Sequence, residues 1–129
     1  MNDVLRSRKD TTRVLLLFAR SINEPAVKEQ IERLEETAAA FRDRDMELVV
    51  STHDGSEPST ALPAVSLPRA QAAVQRRRFE VGGEDLAVIL LGKDGRRKLS
   101  AAGPVDPDRV YELIDSMPVR KAELRARRR

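Results

Sequence analysis

Residues 13–19 read Arg-Val-Leu-Leu-Leu-Phe-Ala, and residues 86–91 read Leu-Ala-Val-Ile-Leu-Leu. Both runs are almost wholly apolar, are short for a helix and lack polar alternation, which is typical of strands buried on both faces. A further strand is predicted at Met46-Glu47-Leu48-Val49-Val50. Because doubly buried strands need helices above and below them, these runs indicate an α/β sandwich.

Helices are predicted between these strands. Asn23 is a candidate N-cap before Pro25, and apolar residues then recur every three or four positions as far as Phe41, which predicts an amphipathic helix. Residues 53–63 lose all periodicity and predict a long loop. A second helix is expected from residue 66, with its inward face formed by Ala70, Ala73 and Val74.

The second half of the chain predicts an antiparallel hairpin and a final helix. Asp94-Gly95 separates two extended runs, and Gly supplies the positive φ that a tight hairpin turn needs. The final helix opens at Asp106-Pro107, and Pro118 should stop or kink it. A parallel βαβ half followed by an antiparallel ββα half predicts a thioredoxin-like three-layer sandwich around a four-stranded mixed sheet.

The basic character of the chain lies at its end. The 129 residues fit one domain and carry a net charge of +3. From Pro118 onward the chain has six basic residues and one acidic residue, Glu123, so this segment carries a charge of about +5 and the rest of the chain about −2. We therefore predict three segments, which are an N-terminal extension 1–12, a thioredoxin-like domain 13–118 and a basic C-terminal tail 119–129.

Composition excludes several classes of function. The chain has no cysteine, which removes thiol redox chemistry, disulfides and thiolate metal sites. Its single histidine, His53, is a weak candidate for a catalytic base, and no metal-ligand spacing or cofactor motif is present. No stretch is long and apolar enough to cross a membrane. We expect no cofactor and no metal, and the default location is the cytoplasm, although a chain trimmed of an export leader would look the same.

The later motifs carry a family resemblance. Residues 90–95 (Leu-Leu-Gly-Lys-Asp-Gly), Lys98-Leu99 and residues 113–120 with Glu123 resemble the C-terminal signature of a bacterial family of small domains of unknown function. This family is related to the DUDES domain of animal extracellular-matrix and sushi-repeat proteins and is regarded as thioredoxin-like. The resemblance implies the fold but brings no established catalytic residues.

The resemblance also shows what this chain lacks. In redox-active thioredoxins the loop after the first strand holds the reactive cysteines, and a cis-proline precedes the third strand. Here those places read Arg20-Ser21-Ile22-Asn23-Glu24-Pro25 and Gly83-Glu84-Asp85-Leu86. Disulfide exchange is therefore not chemically available to this chain.

The candidate site is basic and has two interpretations. In the first, the Lys93-Asp94-Gly95 turn binds an anion, with Asp94 as a potential base. In the second, these residues only form the hairpin turn beside a charged edge strand, with Lys93 at the surface. The tail is either a free cationic arm or a helix packed through Val119, Ala122 and Leu124. The candidate binding residues are Lys93, Asp94, Arg96, Arg97, Lys98, Arg120, Lys121, Arg125, Arg127, Arg128 and Arg129, with Gly92 and Gly95 as structural turn residues.

Three functions follow from these candidates. The first is a non-redox, non-catalytic binding or interaction module, with a protein as the expected partner. The second is an accessory protein that binds polyanions or nucleic acid through the arginine-rich tail. The third, which the residues favour least, is an enzyme that uses the Lys-Asp-Gly turn or His53.

Overall fold

The computed structural model describes residues 3–83 and 86–128. Eleven elements lie in these ranges. The helices are α1 (Val4–Arg8), α2 (Pro25–Glu36), α3 (Ala38–Asp43), α4 (Arg69–Arg78), α5 (Pro107–Asp115) and α6 (Pro118–Arg127). The strands are β1 (Arg13–Ala19), β2 (Met46–Thr52), β3 (Ala64–Ser66), β4 (Leu86–Leu91) and β5 (Arg97–Ala102).

The strands form one mixed sheet in the order β3-β2-β1-β4-β5. β1 pairs parallel with β2 and antiparallel with β4, and β4 pairs antiparallel with β5. The predicted parallel and antiparallel halves are therefore present. The sheet has five strands where four were predicted, because Ala64–Ser66 pairs with β2 as a short parallel edge strand. Three residues next to a polar loop are too few for a period of two to be visible in the sequence.

Helices cover both faces of the sheet. On one face Leu15 and Leu17 of β1 pack with Leu34 of α2, Phe41 of α3 and Ile114 of α5. On the other face Leu16 and Phe18 belong to a cluster that includes Leu5 of α1 and Phe79. Every residue of β1 and β4 is buried, as their continuous apolar runs predict.

The inward face predicted for the second helix is wrong. Ala70, Ala73 and Val74 of α4 are exposed, and the buried residues are Gln71 and Gln75. The cause is a polar contact with the N-terminal segment, since the Gln71 side-chain oxygen accepts the Val4 N–H at 2.9 Å. This contact anchors α1 on α4.

The other predicted helix boundaries differ only in detail. The cap before α2 is Glu24 instead of Asn23, and Thr37 divides the predicted long helix into α2 and α3. Asp106 caps α5 through a hydrogen bond from the Asp108 N–H at 3.0 Å. The break at Pro118 separates α5 from α6.

Candidate functional site

The Lys93 side chain is enclosed by ion pairs, so its predicted position at the surface is wrong. Only 15% of the side chain is exposed, and its ammonium donates to Asp45 Oδ2 at 2.8 Å and to Glu123 Oε2 at 2.6 Å. The sequence interpretation failed because both carboxylates come from distant parts of the chain. The two carboxylates occupy two of the three ammonium donors and neutralise the charge that anion binding would use.

Asp94 holds the hairpin together. It accepts the Lys98 ammonium at 2.8 Å and the Arg96 N–H at 3.0 Å. The hydrogen bond from Lys98 lowers the pKa of Asp94, and a lower pKa makes this carboxylate a weaker base. Gly95 has a φ of 77°, and its carbonyl accepts the Arg78 guanidinium at 2.8 Å, while Gly92 accepts the Gly95 N–H at 3.0 Å.

The C-terminal signature residues dock α6 onto the sheet. Glu123 accepts the Arg13 guanidinium at 3.3 Å on Oε1 and at 3.4 Å on Oε2, and Oε2 is also the oxygen that accepts from Lys93. Arg13 is 1% exposed, and its Nε has no hydrogen-bond partner among the described residues. We refer to the contacts of Glu123 and Arg120 with the domain as the α6 seam.

Arg120 forms the second half of the α6 seam. It is 2% exposed and donates to Asp43 Oδ2 at 2.8 Å and to Asp115 Oδ1 at 3.2 Å. Asp115 also holds Arg44 at 2.8 Å. Burial alone would raise the pKa of Asp115, but the Arg44 and Arg120 guanidinium groups lower it overall. The signature residues Arg120 and Glu123 therefore attach α6 to the domain, and their charges are already paired.

The remaining basic candidates are not equivalent. Arg127 pairs with Asp43 at 3.0 Å, and Arg129 lies outside the described residues. Five other cations form no side-chain hydrogen bond or ion pair within the described ranges. They are Arg96 and Arg97 at the start of β5, and Lys121, Arg125 and Arg128 in the α6 segment.

The carboxyl edge of the sheet carries polar residues that the sequence motifs did not identify as a site. The loops after β1 and β2 meet there, since the Asp54 N–H donates to the Arg20 carbonyl at 3.1 Å. Asp54 Oδ1 accepts the Ser56 hydroxyl at 2.5 Å and the Ser56 N–H at 2.9 Å. Hydrogen bonds from Ser56 and then Ser21 lower the pKa of Asp54 to about 2.

A cleft of about 660 Å³ opens between this edge and helix α4, and we call it the α4 cleft. Ser51 lies at its base, is 2% exposed and has no hydrogen-bond partner for its hydroxyl among the described residues. Arg69 and Arg76 line its α4 side, and the exposed His53 and Glu57 line its loop side.

The sequence held one usable signal for this cleft. Ser51 interrupts an apolar strand just before its carboxyl end, which is the edge where open α/β sheets bind ligands. The same position makes His53 a candidate base. Its ring forms no hydrogen bond within the described part of the chain, so no partner orients it as a catalytic base.

Clusters of metal ligands and membrane-spanning helices are both absent from the described residues. In the ranges 3–83 and 86–128 there is no group of three or more His, Asp or Glu side chains arranged to hold a metal ion. Over the same ranges no helix combines the length and the apolar character that crossing a bilayer requires.

The chain resembles known domains in sequence and in fold. A family model described as "Domain of unknown function (DUF4174)" matches residues 4–123, and no curated protein matches the chain. The exposed lipoprotein thioredoxin of Streptococcus pneumoniae is 16% identical, with a TM-score of 0.62 over 88% of this chain and 90% of that one.

Other solved structures agree on the fold. The reduced 2-Cys peroxiredoxin of Plasmodium vivax is 15% identical, with a TM-score of 0.64 over 87% of this chain and 68% of that one. The thioredoxin domain of a Bacteroides vulgatus thiol-disulfide oxidoreductase is 16% identical, with a TM-score of 0.57 over 86% and 81% of the two chains. The predicted thioredoxin-like fold is therefore confirmed, and at these identities the likeness extends to the fold alone.

Proposed function

The chain belongs to the DUF4174 family, a domain of unknown function, and we propose that it is a non-redox, non-catalytic binding domain whose ligand enters the α4 cleft. A thioredoxin fold without cysteine keeps the scaffold but has no sulfur nucleophile for disulfide exchange. The relation to the DUDES domain, a bacterial origin and a protein partner stay predictions.

The unpaired Ser51 hydroxyl carries this proposal. A hydroxyl on a largely buried side chain is normally hydrogen-bonded to protein or to a molecule in the adjoining cavity, and the Ser51 oxygen has no protein partner among the described residues. Ser51 is 2% exposed and borders the α4 cleft. A ligand in the cleft would supply the missing partner, and a volume of about 660 Å³ suits a small molecule or a few residues of a partner protein.

The acid–base groups at the same edge support binding over catalysis. Ser21 and Ser56 both donate to Asp54, and these bonds lower the pKa of Asp54 to about 2. A carboxylate with so low a pKa is a poor general base near neutral pH. It therefore does not activate either hydroxyl as a nucleophile.

The test is a thermal-shift screen of the full chain with a metabolite panel, followed by two tryptophan variants. Ala73 is exposed and lines the cleft, whereas Ala70 is also exposed on the same helix but lies outside the lining. Ligands that stabilise the chain should lose their effect with Ala73→Trp and keep it with Ala70→Trp. Equal stabilisation of both variants would contradict binding in the cleft, and so would a screen with no stabilising ligand.

A second candidate is polyanion binding through α6. The cations Lys121, Arg125 and Arg128 form no ion pair with the described residues, so they are available to phosphates. Replacing all three with glutamine should abolish retention on heparin at low salt and leave the melting temperature within a degree or two. Unchanged retention would exclude α6 as the polyanion site.

A further inference from the structure

We propose that the α4 cleft holds the phosphate group of a small phosphorylated molecule. This inference rests on the proposed function, because it specifies the ligand of the same cleft. Three donors of different kinds carry it, which are the N-terminal backbone of α4, the Arg69 guanidinium and the Ser51 hydroxyl.

The first turn of α4 is open to a ligand. The helix has ten residues, and Pro68 at its cap offers neither a side-chain hydrogen bond nor an N–H of its own. The Gln71 N–H bonds to the Pro68 carbonyl at 2.9 Å, but the N–H groups of Arg69 and Ala70 have no partner within the described ranges. Residues 66–69 line the cleft, so the positive end of the helix dipole borders it.

Ser51 is an independent observation that points to a ligand in the same place. It belongs to β2, opposite Phe18 of β1, and so reaches the cleft from the sheet instead of from α4. The residue is 2% exposed, and its hydroxyl makes no hydrogen bond with the described residues, while the oxygen itself is not fully buried and so is open to the cleft that it lines. A hydroxyl can donate to an anionic oxygen, and a hydrogen bond to a charged group is stronger than one between neutral groups.

Arg69 supplies the charge. Its guanidinium forms no ion pair or hydrogen bond with the described residues, and a Cβ placed on Gly55 would lie 3.7 Å from one of its nitrogens. The cation therefore lies beside Gly55, in the loop that lines the other side of the cleft. Arg76 adds a second guanidinium 5.1 Å from the centre of the Phe18 ring. Glu57 is the one acid lining this cleft among the described residues, and it is exposed.

The geometry favours a phosphate over a carboxylate. Backbone N–H groups and a guanidinium from α4 and a hydroxyl from β2 line one cleft, and this mixed set of donors suits a tetrahedral group with several equivalent oxygens better than a planar one. The cleft volume exceeds what a phosphate alone would fill, and the exposed methyl group of Ala73 lines the remainder. The ligand class is therefore a small phosphate monoester.

The experiment is an NMR titration of the ¹⁵N-labelled full chain with phenyl phosphate and with inorganic phosphate, in about 0.15 M salt. Benzyl alcohol is the neutral control. Both phosphates should shift the amides of Arg69 and Ala70 saturably below about 10 mM, and benzyl alcohol should not. A saturable response to benzyl alcohol alone would overturn the phosphate assignment while leaving binding in the cleft intact. No response at α4 to either phosphate would also overturn the assignment.

Matched variants distinguish phosphate binding in the cleft from a general attraction to positive charge. Arg69→Gln should weaken phenyl phosphate binding about tenfold, and Ser51→Ala should weaken it severalfold. Arg77→Gln changes the same charge on the same helix but lies outside the cleft lining, so it should leave the affinity within twofold. Equal losses from Arg69→Gln and Arg77→Gln would reduce the effect to net charge and refute the site. The amide spectrum of each variant verifies that it is folded.

Discussion

Removing the negative charge of Glu123 should destabilise the domain. In Glu123→Gln the side chain keeps its size but loses the charge that faces Lys93 at 2.6 Å and Arg13 at 3.3 Å. Deleting one partner of a buried ion pair costs roughly 3–5 kcal/mol. Glu123 is 23% exposed, and the glutamine oxygen can still accept one hydrogen bond, so we expect a loss of about 2 kcal/mol. For a domain of this size that lowers the melting temperature by about 6–8 °C.

The pH dependence gives the same experiment a second readout. Burial alone would raise the pKa of Glu123, but hydrogen bonds from Lys93 and Arg13 lower it overall below the ordinary value of 4.5. A carboxyl whose folded pKa is lowered contributes stability above its unfolded pKa and loses it as the pH falls. The two proteins should therefore differ fully near neutral pH and converge as the pH drops below about 4.5.

The assay is thermal and urea unfolding at several pH values, with Glu112→Gln as the control. Glu112 is exposed on the neighbouring helix α5, and its carboxylate makes no ion pair with the described residues. It should change stability by less than about 0.5 kcal/mol. Equal midpoints for Glu123→Gln and the wild type near neutral pH would refute the interpretation of the α6 seam as a stabilising contact.

Three further predictions concern the turn, the tail and the chemistry. Gly95→Val should cost about 2 kcal/mol because its φ of 77° is strained for a β-branched residue, whereas Gly83→Val should cost far less, and similar urea midpoints would contradict this. Truncation after Val119 should lower the melting temperature, since it removes the buried Arg120 and the partly buried Glu123, and an unchanged melting curve would identify the segment as a free arm. The full chain should neither reduce insulin nor turn over peroxide above a buffer control, because it has no cysteine.

Much of the fold could be predicted because local patterns determined it. The apolar runs in β1 and β4 are buried along their full length, and the Asp94-Gly95 turn joins β4 to β5 as its composition indicates. Contacts between distant residues could not be read in this way. Gln30 is 1% exposed because its side chain bonds both the N–H and the carbonyl of Val105, at 2.7 and 3.0 Å.

The candidate site was harder to predict than the fold. Charged residues near a turn suggest a binding surface, but Lys93 finds its partners 48 and 30 positions away, and no local pattern reveals them. The α4 cleft has the opposite character. Ser51 looks unremarkable in the sequence, and its importance comes from its place at the carboxyl edge of the sheet, where a largely buried residue presents an unpaired hydroxyl to the cleft.

Hydrogen–deuterium exchange of the full chain, with and without a ligand from the thermal-shift screen, tests most directly where this domain binds. We expect slower exchange within the segments 51–57 and 66–76, which contain most of the residues that line the α4 cleft, and unchanged exchange in residues 118–128. Protection confined to residues 118–128 would contradict the account and identify α6 as the binding surface.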